Sequence, residues 1–242
     1  MFGATYELSV SAKPRSMDEL ARQISLDRSR ALDLVPVSRE TLSRLDCFVE
    51  LLIQRNQTTN LIARSTVPQV WTRHVADSLQ LVSLAQGRAW VDLGSGAGFP
   101  GLVLACALAE HESCVVHLIE SRDRKAAFLR DAARTIGAPA VVHRGRIEEV
   151  AGKLGPMDVV TARAVAPLPK LLEYVEPLVG KGAKALLMKG QDVETELTQA
   201  AKYWKIGAEI VPSKTDPSGR ILVVFELARS QRGKPQRFRD VR

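Results

Sequence analysis

The segment Val91-Asp92-Leu93-Gly94-Ser95-Gly96-Ala97-Gly98-Phe99-Pro100-Gly101 decides how this chain is read. It begins inside a short apolar run, residues 89–93, that suits a buried strand. Glycines at 94, 96 and 98 let the backbone turn sharply and pass close to a ligand. Pro100 then opens an apolar stretch, 101–110, with the character of a helix start. A strand, a glycine-rich turn and a helix in that order begin a βαβ unit.

Downstream the alternation repeats. Strands are expected over 114–120, 140–144, 157–162 and 183–188, with helices over 122–136, 147–153 and 167–179 between them. Short β-branched runs separated by helices imply a parallel sheet with right-handed crossovers. The end of the chain differs. After a helix over 193–203, strands over 206–213 and 221–228 are joined only by Lys214-Thr215-Asp216-Pro217-Ser218-Gly219-Arg220. That leaves no room for a crossover helix, so the two must pair antiparallel. The expected sheet has seven strands, mostly parallel, and closes on a C-terminal antiparallel hairpin.

Upstream, as far as Gly87, the apolar residues recur at helical spacing instead. Ser38 can cap a helix carrying Leu42, Leu45, Phe48, Val49, Leu52 and Ile53, and a second stripe runs Val67, Val70, Trp71, Val75, Ser78, Leu79, Val82. Residues 17–34 form a weaker helix that stops before Pro36. The chain thus divides into a helical N-terminal extension packing on the core (1–87), an α/β domain (88–228) and a basic tail (229–242). The tail carries Arg229, Arg232, Lys234, Arg237, Arg239 and Arg242 against Asp240, so it holds +5 of the net charge of +7. Such a tail suits phosphate backbones through counterion release, and equally suits a solvated terminus.

Composition excludes several classes. With 242 residues, 45% hydrophobic and 25% charged, the chain can bury a core without disulfides or metals. Cys47, Cys106 and Cys114 are odd in number and widely spaced, which fits a reducing compartment and argues against a zinc site. The longest apolar run, 100–109, is about half a membrane span, and the first fifteen residues lack a secretory leader pattern. A cytoplasmic, metal-free protein that acts as a monomer is expected.

The glycine loop narrows the ligand. Its spacing is GxGxG, whereas the dinucleotide fingerprint is GxGxxG, and a GxxxxGK[ST] phosphate loop is absent. Asp92 before the loop would repel a pyrophosphate but can accept, directly or through water, from the ammonium of a methionine moiety. Glu120 ends the second strand, 26 residues after Gly94, where a carboxylate can accept both ribose hydroxyls of an adenosine. Together these features point to S-adenosylmethionine, and with the closing hairpin to the Rossmann-like class I methyltransferase fold.

The chain then resembles one family, the bacterial small-subunit (16S) ribosomal RNA guanine-N7 methyltransferases, also known as glucose-inhibited division protein B. The resemblance runs from about Asn56 to Phe225. Its motifs are Asn60-Leu61, Arg73-His74-x-x-Asp77-Ser78-Leu79, the loop from Asp92 to Gly101, Glu120-Ser121, Lys125-x-x-Phe128-Leu129, Thr161-Ala162-Arg163-Ala164-Val165-Ala166 and Lys189-Gly190. The most selective are the Gly-Phe-Pro-Gly end of the loop and Arg-Ala-Val-Ala after the fourth strand. The resemblance implies that Gly94 and Phe99 contact the cofactor, and the glycine spacing adds Gly96 and Gly98 as candidates. It further implies that Ile147-Glu148 stands for an Ala-Glu pair beside the adenine, and that Arg163 lies near the methionine end. The first 37 residues and the tail lie outside it.

The chemistry agrees. Guanine N7 is a neutral nucleophile with an exposed lone pair, so its methylation needs neither a general base nor a covalent nucleophile, only positioning. Amino-group methyltransferases usually carry an [Asp/Asn/Ser]-Pro-Pro-aromatic motif after the fourth strand, and this chain has Thr161-Ala162-Arg163-Ala164 there. No cysteine follows Cys114, which argues against cytosine-C5 chemistry. Arg163 could bind a phosphate, the cofactor carboxylate or guanine O6; Lys189, at the end of the fifth strand, suits an RNA phosphate. Arg163 and Lys189 are therefore the candidate catalytic residues, with Arg73, His74, Asp77 and Lys189 as candidate RNA contacts. His74 and Asp77, one turn apart, could equally be structural. Arg122, Arg130 and Arg134 read as a solvated helix face. Two other readings stay open: a methyltransferase of a different substrate, and a non-catalytic RNA-binding module on the same fold.

Overall fold

The computed structural model describes residues 17–230 of the 242, so the first sixteen residues and most of the basic tail lie outside the described residues. Seven strands form one sheet in the order β3-β2-β1-β4-β5-β7-β6. They are β1 Ala89–Leu93, β2 Val115–Glu120, β3 Ala140–Arg144, β4 Val159–Arg163, β5 Lys184–Lys189, β6 Trp204–Pro212 and β7 Arg220–Arg229. Strands β1 to β5 pair in parallel, and β7 enters antiparallel between β5 and β6. The seven-stranded sheet and its closing hairpin are as the sequence pattern requires. Element ends move by one or two residues, and the helix expected over 193–203 stops at Ala200.

Helices cover both faces, and the strands alternate accordingly. Trp90, Val159 and Leu186 enter one apolar cluster, while Val91, Val160 and Leu187 enter the other. The first cluster is shared with the N-terminal helices α1 (Met17–Leu34) and α2 (Arg39–Asn56). Phe48 and Leu52 of α2 belong to it, together with Leu118 of β2, Leu102 of α4 (Gly101–Leu108) and Phe128 of α5 (Asp123–Ile136). Ser38 caps α2 as its position suggests, its hydroxyl accepting from Thr41 N–H at 3.0 Å.

The second N-terminal stripe is not one regular helix. Residues 64–84 run through a 3-10 turn (Arg64–Gln69), a π-helical turn (Trp71–Ala76), the short α3 (Asp77–Leu79) and another 3-10 turn (Gln80–Leu84). Pro68 interrupts the hydrogen-bond ladder, and Asp27 of α1 caps the restart by accepting from Trp71 and Thr72 N–H at 2.8 and 3.1 Å. The π turn carries Arg73 and His74 and leads directly into Asp77.

Of the remaining helices, α6 (Ile147–Val150) is one turn continued by a 3-10 turn, while α7 (Leu168–Val179) and α8 (Val193–Ala200) lie on the second face. Cys106 is buried and Cys47 and Cys114 half-buried, all as free thiols. Among the described residues, no helix is long and apolar enough to cross a membrane, and no group of three or more potential ligands could hold a metal.

Candidate functional site

The strand order reverses at β1, between β2 and β4, and the crevice above the carboxyl ends at such a reversal is where these sheets take ligands. The glycine loop fills that place. Gly94, Gly96 and Gly98 have φ of 69°, 58° and 101°, a region that L side chains rarely enter. Their surroundings differ. A Cβ on Gly96 would meet only Gly94 O at 3.8 Å and Lys125 Nζ at 4.0 Å, so the backbone there is open. On Gly98 it would meet Leu102 and Phe48 at 3.0 Å, so that glycine serves packing.

Glu120, at the end of β2, is buried and aimed at the loop: its two carboxylate oxygens accept from Gly96 N–H at 2.9 Å and Arg122 N–H at 2.7 Å. Each oxygen retains a lone pair for a ribose hydroxyl. Lys125, from α5, brings a cation to the loop.

Asp92 is placed otherwise than its sequence position suggests. Its carboxylate is fully enclosed, accepting from Gly101 N–H at 3.1 Å and Thr161 hydroxyl at 2.9 Å. It ties both ends of the loop to β4. Burial pushes its pKa up to about 6 against those hydrogen bonds.

Arg163 closes β4 and is the most heavily engaged residue of the site. Its Nη1 donates to Arg73 O and to Asp77 Oδ2, both at 3.2 Å, and its Nη2 donates to His74 Nδ1 at 2.8 Å. The guanidinium lies over the Phe99 ring, 5.3 Å from its centroid. His74 stacks on the same ring at 4.9 Å. Phe99 is itself buried against Phe48, centroids 5.4 Å apart, so it joins loop, helix and strand and presents no free face for stacking a base. The next residue, Ala164, has φ of 53°, an unusual backbone for a non-glycine residue. It sits where Arg-Ala-Val-Ala begins.

A cavity of about 790 Å³ opens beside this network, under the ends of β4 and β5 and the β6–β7 turn. Arg73, Arg163, Lys189 and Arg220 line it, and so do Asp77, Asp192, Glu196 and Asp216. Four cations face four carboxylates. Two pairs are already made: Arg163 with Asp77 at 3.2 Å, and Lys189 with Glu196 at 2.8 Å. Such balanced polarity fits a neutral, dipolar ring with donors and acceptors on its edges better than a bare phosphate.

The structure therefore brings Arg73, His74, Asp77, Phe99 and Arg163 into one cluster, and sets Gly94, Gly96 and Glu120 beside it. Lys189 is on the cavity wall, but only 11% of its side chain is exposed and Glu196 holds its ammonium. Ile147 packs on the second apolar cluster, while Glu148 is exposed and accepts from the Tyr174 hydroxyl at 3.0 Å. Thr161, which begins the Arg163 motif, completes the Asp92 contacts, whereas Gln80 and Thr215 complete the Asp77 network and have no signal in their local sequence. Thr215 in particular reads as a turn residue and reaches Asp77 across 138 positions of chain.

The family model described as rRNA small subunit methyltransferase G matches residues 41–218. A ribosomal RNA small subunit methyltransferase G from a Bradyrhizobium species is 54% identical over 206 residues, covering 84% of this chain and 93% of that protein. The protein of the same name from Nitrobacter hamburgensis is 55% identical over 208 residues, covering 85% and 80%. Among solved structures, an O-methyltransferase from Bacillus cereus in complex with SAH shares the fold with a TM-score of 0.56. It is 16% identical and covers 86% of this chain and 100% of its own. The O-methyltransferase TomG from Streptomyces achromogenes, in complex with SAM, has a TM-score of 0.54 at 16% identity, covering 85% and 98%. With more than half its length matched by the family model and relatives above 50% identity over most of both chains, this chain belongs to the rRNA small subunit methyltransferase G family.

Proposed function

We propose that this S-adenosylmethionine-dependent ribosomal RNA methyltransferase holds its cofactor on the loop above β1 and presents N7 of a guanine from the adjoining cavity. Gly96 offers open backbone to the cofactor, Gly94 makes the turn packed against Val165, Glu120 accepts the ribose hydroxyls, and Ile147 and Glu148 flank the adenine. Asp92 acts by holding the loop on β4. When bound, S-adenosylmethionine supplies an electrophilic methyl group on a sulfonium.

The guanine N7 lone pair takes the methyl group directly, and positive charge passes from sulfur to purine. No proton leaves, so no general base is required. One observation carries this reading: His74, the one histidine among the described residues that line the cavity, is unfit to be a base. Burial, with Arg163 and Arg73 adding to it, lowers the His74 pKa to about 3, and its Nδ1 lone pair is occupied by Arg163. In this reading the site orients the reactants, and the transfer asks no proton movement of it. Among the described residues Arg163 Nε–H and one Nη2–H have no partner, which leaves donors able to hold the cofactor carboxylate or guanine O6.

The substrate is small-subunit ribosomal RNA, alone or within the subunit, and the expected compartment is the cytoplasm. The test supplies methyl-labelled S-adenosylmethionine and small subunits that lack the modification. Label recovered as N7-methylguanosine is expected. Cofactor binding with no transfer to RNA would overturn the reading in favour of a non-catalytic RNA-binding module.

A further inference from the structure

The β6–β7 turn does more than join two strands. Thr215 Oγ1 donates to Asp77 Oδ1 at 2.9 Å, and Gln80 Nε2 donates to the same oxygen at 2.9 Å. Gln80 is anchored to the turn in turn: its Nε2 reaches Ser213 Oγ at 3.1 Å and its Oε1 accepts from Lys214 N–H at 2.8 Å. Both donors therefore converge on one carboxylate oxygen. The other, Oδ2, is left to Arg163 at 3.2 Å. A carboxylate free to rotate about its last bond would offer either oxygen; this one is held with Oδ2 facing the guanidinium.

We infer that Thr215 is a positioning residue for Arg163, acting through Asp77, so that the C-terminal hairpin sets the geometry of the transfer site. The inference rests on the proposed role of Arg163 at the site. The β6–β7 turn lines the cavity through Ser213, Thr215, Pro217 and Gly219, so the segment that walls the proposed guanine site also aims the arginine. Asp77 gains from the arrangement. Burial raises its pKa, and Arg163 and the Thr215 hydrogen bond are what oppose that rise.

Thr215→Val keeps the side-chain shape and removes the donor; Thr215→Ser keeps the donor. The valine variant should lower kcat/KM for methyl transfer to small subunits about fivefold to tenfold, the equivalent of one hydrogen bond, with the serine variant within about twofold of wild type. The decisive measurement is the same pair of substitutions in an Arg163→Ala background, followed by the slow residual transfer and by the S-adenosylmethionine dissociation constant. If Thr215 acts through Arg163, Thr215→Val adds nothing there. An equal further loss in that background, or an equal loss in the serine variant, overturns the inference. Thermal unfolding of each variant identifies a general loss of folding, which would also count against it. Absence of any transfer by the wild-type protein would instead strike the proposed reaction, and cofactor affinity would still report on the coupling.

Discussion

Arg163 donates to His74 Nδ1 at 2.8 Å, and this fixes the tautomer of the histidine. A guanidinium has no acceptor, so Nδ1 must be bare and the ring proton sits on Nε2, where it reaches Thr66 Oγ1 at 3.1 Å. The ring is neutral because it is buried beside two arginines, with a pKa lowered from 6.5 to about 3. Between those values the unfolded chain binds a proton that the folded chain refuses, so stability falls as pH drops from about 6.5 toward 3. His117 and His143, also lowered by burial, act in the same direction. His74→Gln removes only the first contribution. Denaturation midpoints measured at pH 7 and pH 5 should therefore converge more closely in the variant than in wild type, and equal pH slopes would refute the account.

Asp92 gives the opposite sign. Its folded pKa of about 6 lies above the ordinary 3.8, so its contribution is present at low pH and lost as pH rises through about 6. Asparagine cannot ionise, yet it can give its oxygen to Gly101 N–H and its amide to the Thr161 hydroxyl. Asp92→Asn should match or exceed wild-type stability at pH 8 and show little gain at pH 4. Cofactor affinity should stay within about threefold, less than one hydrogen bond, because the carboxylate holds the loop from beneath. A large loss of affinity in a stable variant would show that Asp92 reaches the cofactor itself.

These two residues show where the sequence was legible. Asp92, the glycines and Glu120 are close to regular elements, and their strand-end positions follow from periodicity alone. What the Asp92 side chain faces does not follow, because Thr161 and Gly101 reach it only when β4 pairs with β1 and α4 folds back. The helical stripe ending at Val82 was legible as apolar but not as a π turn, since Asp27, 44 residues away, supplies the cap that permits it. Arg163 stood out through its motif, whereas Thr215 had no such signal. Turn-forming sequence explains the residues around it, and its contact with Asp77 depends on closure of the whole sheet.

Gly101 closes the same loop as the glycines proposed to hold the cofactor but has a different task. A Cβ there would lie 2.4 Å from Leu118 Cδ2 and 2.6 Å from the Asp92 carboxylate, both buried. Gly101→Ala should cost about 2 kcal/mol or more of stability through overpacking, read as a lowered urea midpoint. Gly96→Ala meets no such wall and should cost about 1 kcal/mol of backbone strain, while weakening cofactor binding more than its stability loss explains. If the alanine at 101 were neutral, the enclosed arrangement of Asp92 would be wrong with it.

Lys189 was expected to meet RNA, and the structure gives its ammonium to Glu196 at 2.8 Å, inside the cavity wall. The same Glu196 oxygen accepts from Leu168 N–H at 2.6 Å, at the first turn of α7, so the pair braces strand β5 against helices α7 and α8. Removing the lysine alone leaves a half-buried carboxylate short of a partner. Lys189→Met should lower stability by roughly 1 kcal/mol, allowing for the solvent that still reaches Glu196. Adding Glu196→Gln removes the orphaned charge and keeps an acceptor for Leu168, so the double variant should recover most of that loss. Its KM for small subunits should then be close to wild type, and its transfer rate should weaken with added salt as steeply as the wild-type rate does. A raised KM with a shallower salt dependence in a fully stable double variant would return Lys189 to the RNA, since one phosphate contact fewer flattens that slope by about one unit.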